Sequence, residues 1–334
     1  MAESTAEPTT QGEPVIEVNE ATDTDSSYGD EFTSYTASLT SSVLNYRREN
    51  GRAYHAYRNG SYLLPNDEAE SERLDMVHEM MLTILEKKLF LAPIESSPQR
   101  TSSLLQRQVI GNDLSPTQPS LVPPNAKFIV EDIEDEWTYP PDHFNFIHAR
   151  YLAVSIRDYP KLLKQSFQLS GPHCSRGAFT DLLIRAVKPG GWVEFHDWDT
   201  MVDSEDGTVK GSSLEKYYRE VIESFDEAGY STRPGPQLEQ WFKDAGFVDV
   251  HTKKFKVPLG IWPKTKYYKT VGAWNLAQAE SGLEASGLAV LTRSKGWSKE
   301  EVAVFAAKAR SDTKNPAIHP VFHFYAVYGR RPEQ

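Results

Sequence analysis

Short apolar runs alternate along the chain with longer segments whose apolar residues recur at helical spacing. The runs predict buried strands, and the spaced segments predict amphipathic helices. The clearest helix begins at Pro65-Asn66-Asp67 and carries an apolar stripe as far as Leu85. Predicted strands lie near 109–110, 127–130, 144–147, 192–195, 247–256 and 320–330, with further helices near 161–167, 214–229, 237–245, 267–284 and from 298 onward. This alternation predicts an α/β fold with an open sheet.

Acidic residues end two consecutive predicted strands. Asp113 follows the run at 109–110, and Asp132 follows the run at 127–130. The carboxyl ends of parallel strands share one crevice, where Asp113 can accept hydrogen bonds from both ribose hydroxyls and Asp132 from an adenine amine. The pair therefore predicts an adenine nucleoside ligand. Taken singly, Asp113 is also typical of a turn or helix cap, and residues 131–136 are also typical of a solvated acidic loop.

Two histidines are the candidates for acid–base chemistry. His148 follows the third predicted strand, and its unperturbed pKa lies close to physiological pH, which suits a general base. The alternative is that His148 bonds the backbone and fixes the loop. His196 follows the Gly190-Gly191 turn and the next strand, where it alternates with Glu194 at the rim of the same crevice.

Composition narrows the classes of partner. The chain has 334 residues, 39% of them hydrophobic, and a formal net charge of −11. The negative charge argues against nucleic acid and anionic membrane surfaces, and favours a small-molecule substrate or pathway proteins. No apolar run approaches the ~20 residues of a membrane helix, and the single cysteine, Cys174, excludes an internal disulfide. A cytoplasmic or nuclear location is expected.

The order of these motifs resembles the class I methyltransferases that use S-adenosylmethionine, and more closely the fungal LaeA-like family. Members of that family regulate or decorate secondary metabolites. The resemblance covers residues 28–330 and rests on a tyrosine-rich segment near Asn50-Gly51, the acidic strand ends, His148, the Gly190-Gly191 turn and an aromatic final strand. It implies a doubly wound, mostly parallel, Rossmann-like sheet with an antiparallel final strand.

The resemblance also implies domains and ligand contacts. Residues 1–27 would be a disordered tail, 28–92 an N-terminal helical cap, and 93–334 the methyltransferase domain, with substrate-cap helices in 200–310. Tyr62 would meet the methionine end of the cofactor, with Arg52 nearby, and Arg150 would order the cap or the cofactor carboxylate. Ile133 would lie beside Asp132 at the adenine. Otherwise, the cap tyrosines simply pack on the sheet.

The implied reaction is methyl transfer to oxygen or nitrogen of a small molecule. Such a reaction needs mostly proximity and alignment, because the sulfonium already activates the methyl group. A catalytic triad or a metal site is therefore not expected. Residues 267–284, with Trp274 and Ala277, would roof the substrate.

Two segments depart from the family pattern. The family has a strand and a Gly-x-Gly-x-Gly loop before the strand that ends in Asp113, but no glycine lies between Gly60 and Gly111. Three alternatives follow: residues 104–110 form a makeshift strand in its place, the sheet is rearranged, or the gene model omits part of an exon. Residues 169–178 interrupt a predicted helix with an insertion or retained intron sequence. A non-catalytic descendant that regulates or scaffolds a pathway is the alternative function.

Overall fold

The computed structural model of the chain describes residues 46–58, 60, 62–94, 108–118, 122–167 and 186–333. Several predictions lie outside these residues: the tail at 1–27, the cap before residue 46, the segment 101–107 and the interruption at 169–178. Those predictions stay predictions.

Strands and helices alternate over most of the described chain. A hairpin of β1 (Arg47–Glu49) and β2 (Arg52–Tyr54) precedes helix α1 (Glu68–Ile84). The remaining elements are β3 (Val109–Asp113), β4 (Ala126–Val130), β5 (Phe144–Arg150), α2 (Tyr159–Phe167), β6 (Val187–Asp203), α3 (Ser213–Glu227), a 3₁₀ turn (Gly235–Gln237), α4 (Leu238–Ala245), β7 (Val248–Pro258), α5 (Lys266–Ser294), α6 (Lys299–Thr313) and β8 (Val321–Arg330).

Helix boundaries follow the capping signals of the sequence. The side chain of Asp67 accepts the N–H of Glu70 at the start of α1, and Ser298 and Glu301 form a capping box at the start of α6. Helix α4 ends at Gly246, whose φ of 100° is the left-handed conformation that glycine adopts without strain. None of the described helices is long and apolar enough to cross a membrane.

The main sheet has the order β5-β6-β8-β7. Strand β5 runs parallel to β6, whereas β8 is antiparallel to both β6 and β7. The predicted α/β class, the antiparallel final strand and the edge position of the 247–256 strand are therefore confirmed. Helices cover both faces, because α2 and α4 pack around Phe195 and Phe242 on one side while α1, α3, α5 and α6 form the larger core on the other.

The remaining strands, β3 and β4, form a separate parallel pair. Their register runs from Val109 opposite Ala126 to Asp113 opposite Val130. Among the described residues, no strand bridges β3 and β5, which is where the family pattern places the absent central strand. The described strands therefore form separate sheets on the two sides of this position.

Candidate active site

A cavity of about 590 Å³ lies between the carboxyl ends of β3 to β5 and the helices α1, α3 and α5. Five residues predicted from the sequence to contact a cofactor line it: Tyr62, Asp113, Asp132, Ile133 and Arg150. The fold thus brings together side chains that come from the cap, from three strand ends and from the acidic loop. A cavity of this size is typical of a small-molecule site.

The surroundings of Asp113 agree both with a turn residue and with a ligand-binding residue. Its Oδ1 accepts the N–H of Ser115 at 2.9 Å, so it forms a turn at the end of β3. Its side chain is also accessible from the cavity. The surrounding protein raises the pKa of Asp113, because burial disfavours the charged form. A ligand hydroxyl that donates to this carboxylate would compensate that cost.

Asp132 is more strongly engaged with the protein than Asp113. Its Oδ1 accepts the N–H of Glu134 at 2.9 Å, and its Oδ2 accepts a hydrogen bond from Arg58 Nη1 at 3.0 Å. Arg58 also pairs with Asp135. Residues 131–136 thus form an acidic loop that is only partly exposed and is tied to Arg58, and Asp132 and Ile133 line the cavity.

Tyr62 and Arg150 form the middle of the cavity wall. The backbone N–H of Tyr62 donates to His55 Nε2 at 3.1 Å, which fixes the cap segment, and burial raises the pKa of its phenol. Arg150 donates to His78 Nδ1 at 2.9 Å, and burial lowers the pKa of its guanidinium. Arg150 thus offers a partly desolvated cation to an anionic ligand group.

Arg52 does not line the cavity, which corrects the expectation that it lies near the cofactor. Its guanidinium donates to both carboxylate oxygens of Asp67, each at 2.6 Å. Asp67 is the cap of α1, so Arg52 ties the hairpin to that helix. A bidentate pair of this kind leaves Arg52 little capacity for a ligand.

His196 is also corrected, because it is fully buried and does not line the cavity. Strand β6 continues to Asp203, so His196 lies in mid-strand, and the cavity begins one position further along the same face, at Trp198. Its Nε2 contacts a carboxylate oxygen of Glu194. A substrate cannot reach this imidazole in the described structure.

His148 lies outside the cavity for the same reason. Strand β5 runs to Arg150, so Arg150 occupies the strand end that His148 was predicted to occupy. The rings of His148 and His196 meet edge to face at 4.7 Å. The side chain of His148 is exposed on this side of the sheet. Desolvation by the neighbouring groups, with the nearby His196 and Arg150, lowers the pKa of His148, which makes it a weaker general base.

His148, Glu194 and His196 place possible ligand atoms within 4.8 Å of one another. Two histidines and a carboxylate are a donor set that zinc or iron accepts. However, the Glu194 oxygens already accept the N–H groups of Leu91 (2.7 Å) and Ala92 (2.6 Å). The cluster is therefore best interpreted as the attachment of the segment after α1 to strand β6.

The sequence did not single out the other end of the cavity. There, Glu70 and Arg73 form a buried ion pair on α1, and Tyr218 enters from α3. Helix α5 contributes Asn275 and Gln278, and not the predicted Trp274 and Ala277, because a different face of this helix points inward. The available signal was the pair of charges at Glu70 and Arg73, three residues apart within an apolar stripe.

Comparisons with known proteins agree with the resemblance in the sequence. The family described as "Methyltransferase domain" matches residues 98–252. Methyltransferase pytC of Aspergillus terreus is 34% identical over 314 residues, covering 88% of this chain and 91% of that protein. The secondary metabolism regulator LAE1 of Cochliobolus heterostrophus is 29% identical, covering 86% and 95%.

A solved structure, Haemonchus contortus phosphoethanolamine N-methyltransferase 2 in complex with S-adenosyl-L-methionine, is 16% identical with a TM-score of 0.40 and covers 78% of this chain and 52% of that one. The family assignment rests on the sequence relatives, of which pytC exceeds 30% identity across nearly the whole of both chains. The chain therefore belongs to the fungal LaeA-like methyltransferase family.

Proposed function

We propose that this protein is an S-adenosylmethionine-dependent methyltransferase that acts on oxygen or nitrogen of a small molecule in fungal secondary metabolism. One observation carries the proposal: a single cavity joins the strand-end carboxylate of Asp113 to an enclosed aromatic chamber around Trp198 and Tyr218. A cofactor and an acceptor can therefore meet within one space. Methyltransferase pytC and the regulator LAE1 are relatives over nearly the whole chain and support the assignment.

The cavity residues fit the adenosyl part of the cofactor. Asp113 would hold the ribose hydroxyls, Asp132 and Ile133 would border the adenine, and Arg150 would meet the carboxylate. When bound, the cofactor supplies a methyl group already activated by its sulfonium. The residues of the chain would bind, align the acceptor and exclude water, which is most of what this chemistry requires.

The cavity offers fewer contacts to the methionine end of the cofactor. Among the described residues that line the cavity, the only glycine is Gly282 on α5, far from the strand ends. Backbone N–H groups of a glycine loop normally approach such a ligand closely. We therefore expect weak cofactor binding, and Tyr62 and Arg150 would offset part of the loss.

The separation of the described strands into different sheets favours a second candidate function. A chain that has lost the glycine loop can persist as a regulator or scaffold of a secondary-metabolite pathway, and its partners would then be pathway proteins. The two candidate functions predict different results for one measurement, the binding of S-adenosylhomocysteine.

The test is calorimetric titration of the purified chain with S-adenosylhomocysteine. We expect Asp113→Ala to weaken binding by a few kcal/mol, at ~1 kcal/mol or more for each ribose hydroxyl left unpaired. The matched control is Asp244→Asn, an exposed change on α4 that should bind as the parent does. Unchanged affinity in a folded Asp113→Ala variant would remove Asp113 from the site. No binding by the parent, at any ligand concentration, would favour the regulator.

A further inference from the structure

The inner end of the cavity is an aromatic and apolar chamber, defined here by Met80, Trp198, Tyr218, Phe225, Leu283 and Phe322. All but Tyr218 are at most 7% exposed. The rings of Tyr218 and Phe322 meet edge to face with their centroids 4.9 Å apart. Aromatic walls of this kind favour a planar, apolar guest.

Two side chains of opposite charge lie at the chamber and neutralise each other. Arg73 and Glu70 are 5% and 4% exposed, and Arg73 Nε donates to Glu70 Oε2 at 3.0 Å. Nη1 of Arg73 donates to the Tyr151 hydroxyl at 3.1 Å and to Gln278 Oε1 at 3.0 Å. The guanidinium is therefore occupied, and neither charge of the pair is left to attract an ion.

Two polar groups of the chamber have no hydrogen-bond partner among the described residues: the fully buried Nε1 of Trp198 and the phenol of Tyr218, which is the more exposed of the two residues. The phenol of Tyr218 makes no hydrogen bond with any described residue, although it lines the cavity. Burial raises its pKa, so the phenol stays protonated and can both donate and accept. This hydroxyl is accessible from the cavity, and a guest that carries a polar group can form a hydrogen bond with it in place of solvent.

We propose that the chamber binds the methyl acceptor as a neutral, aromatic molecule whose hydroxyl pairs with the phenol of Tyr218. The inference rests on the proposed function, because it places the acceptor beside the adenosyl end of the same cavity. A charged acceptor is disfavoured, since an ion that enters an apolar chamber without a counter-charge loses its hydration. The class of substrate follows from this balance: an uncharged phenolic or similar aromatic compound.

Three naphthalene probes that share the ring and differ in the charge of the 2-substituent test the preference for a neutral guest. At neutral pH 2-naphthol is uncharged, 2-naphthoate is an anion and 2-naphthylmethylammonium is a cation. We expect the full chain to bind 2-naphthol at least about tenfold more tightly than either ion, in a fluorescence titration with S-adenosylhomocysteine present and absent. Equal or tighter binding of an ion, or no binding of 2-naphthol, would overturn the proposal.

Tyr218→Phe tests the hydrogen bond without changing the shape of the chamber. We expect about fivefold weaker binding of 2-naphthol and unchanged binding of naphthalene, which has no hydroxyl. Tyr267→Phe, at a tyrosine that is 42% exposed, is the matched control and should leave both affinities as they are. Equal affinity of the parent and Tyr218→Phe for 2-naphthol would remove Tyr218 from acceptor binding.

Changing one member of the ion pair should reverse the selectivity. Glu70→Gln leaves the Arg73 cation uncompensated, so the affinity for 2-naphthoate should rise relative to that for 2-naphthol. Arg73→Gln should instead raise the relative affinity for the ammonium probe. A folded variant with unchanged selectivity would contradict the role given to the ion pair. If neither variant folds, the titrations of the parent and of Tyr218→Phe decide the proposal.

Binding of S-adenosylhomocysteine is a separate result. If the chain does not bind it but still prefers 2-naphthol, the methyltransferase function is rejected and the chamber proposal is kept. If the chain binds it but shows no preference for 2-naphthol, only the proposed class of acceptor is rejected.

Discussion

Asp197 determines the shape of the cavity wall without touching the cavity. It is 2% exposed, and it accepts the N–H groups of Leu152 (3.0 Å) and Ala153 (3.1 Å) and the hydroxyl of Tyr159 (2.6 Å). In the same loop, Tyr151 and Val154 adopt left-handed backbone with φ of 62° and 60°, which is strained for residues other than glycine. The bonds from Asp197 hold this loop against the site.

Replacing Asp197 should therefore destabilise the fold. We expect Asp197→Asn to lower the free energy of unfolding at neutral pH by about 1–3 kcal/mol, because an amide N–H₂ would face groups that need an acceptor. Urea denaturation followed by circular dichroism measures this loss. The exposed Asp244→Asn variant should stay within about 0.5 kcal/mol of the parent, and the same small change in Asp197→Asn would show that the loop does not depend on the carboxylate.

The pH dependence of stability gives a second readout of Asp197. Burial raises the pKa of this carboxyl from its ordinary 3.8 to about 6. The folded state therefore binds the proton more tightly, and the contribution of Asp197 to stability declines as pH rises from about 4 to 6, by roughly 3 kcal/mol. The difference in unfolding free energy between the parent and Asp197→Asn should fall across that range and then level off. A difference that grows with pH would contradict the assignment.

The sequence predicted residues at strand ends better than residues on helix faces. Asp113 and Arg150 line the cavity as expected, because a polar group directly after an apolar run lies at a strand end. His196 was misplaced because strand β6 continues beyond it. Arg73 and Tyr218 were missed because the face that a helix turns toward a cavity depends on the packing of other helices.

At the scale of elements, the pair β3–β4 is the weak part of the fold. It is a two-stranded parallel sheet, and Val109 and Phe128 on it are 54% and 45% exposed. Two strands alone are marginally stable, whereas β6 is paired on both sides, by β5 and β8. The sequence pointed to this region, because the family-like strand and glycine loop before Val109 are not recognisable in it.

Hydrogen exchange should reveal the difference between the two sheets. We expect amides of β3 and β4 to exchange by local opening, with protection at least about a hundredfold below that of β6 and β8, since low-stability units open without global unfolding. Mass-spectrometric exchange on the full chain measures both sets in one experiment. Equal protection of β3 and β6 would mean that another segment completes the sheet beside β3.

At the scale of the whole molecule, one cavity joins the strand-end carboxylate of Asp113 to the aromatic chamber, and the described strands beside it form separate sheets. The order of elements, the antiparallel final strand and the helical cover were predictable, because each depends on local periodicity and capping. The separation of β3 and β4 from the main sheet was predictable only as one of several outcomes, since the sequence departs from the family pattern before Val109 without showing how the neighbouring strands respond. The transcript across Arg100 to Val109 is the observation that tests for an omitted exon.

The most direct measurement compares this chain with a version that carries a family-like strand and Gly-x-Gly-x-Gly loop between Arg100 and Val109. Both proteins are titrated with S-adenosylhomocysteine and followed by thermal shift. Restoring two or three backbone hydrogen bonds at ~1 kcal/mol each, with more where charge is involved, should tighten binding by one to three orders of magnitude. Equal micromolar binding by both proteins would contradict the account and would show that the existing segment already serves in place of the loop.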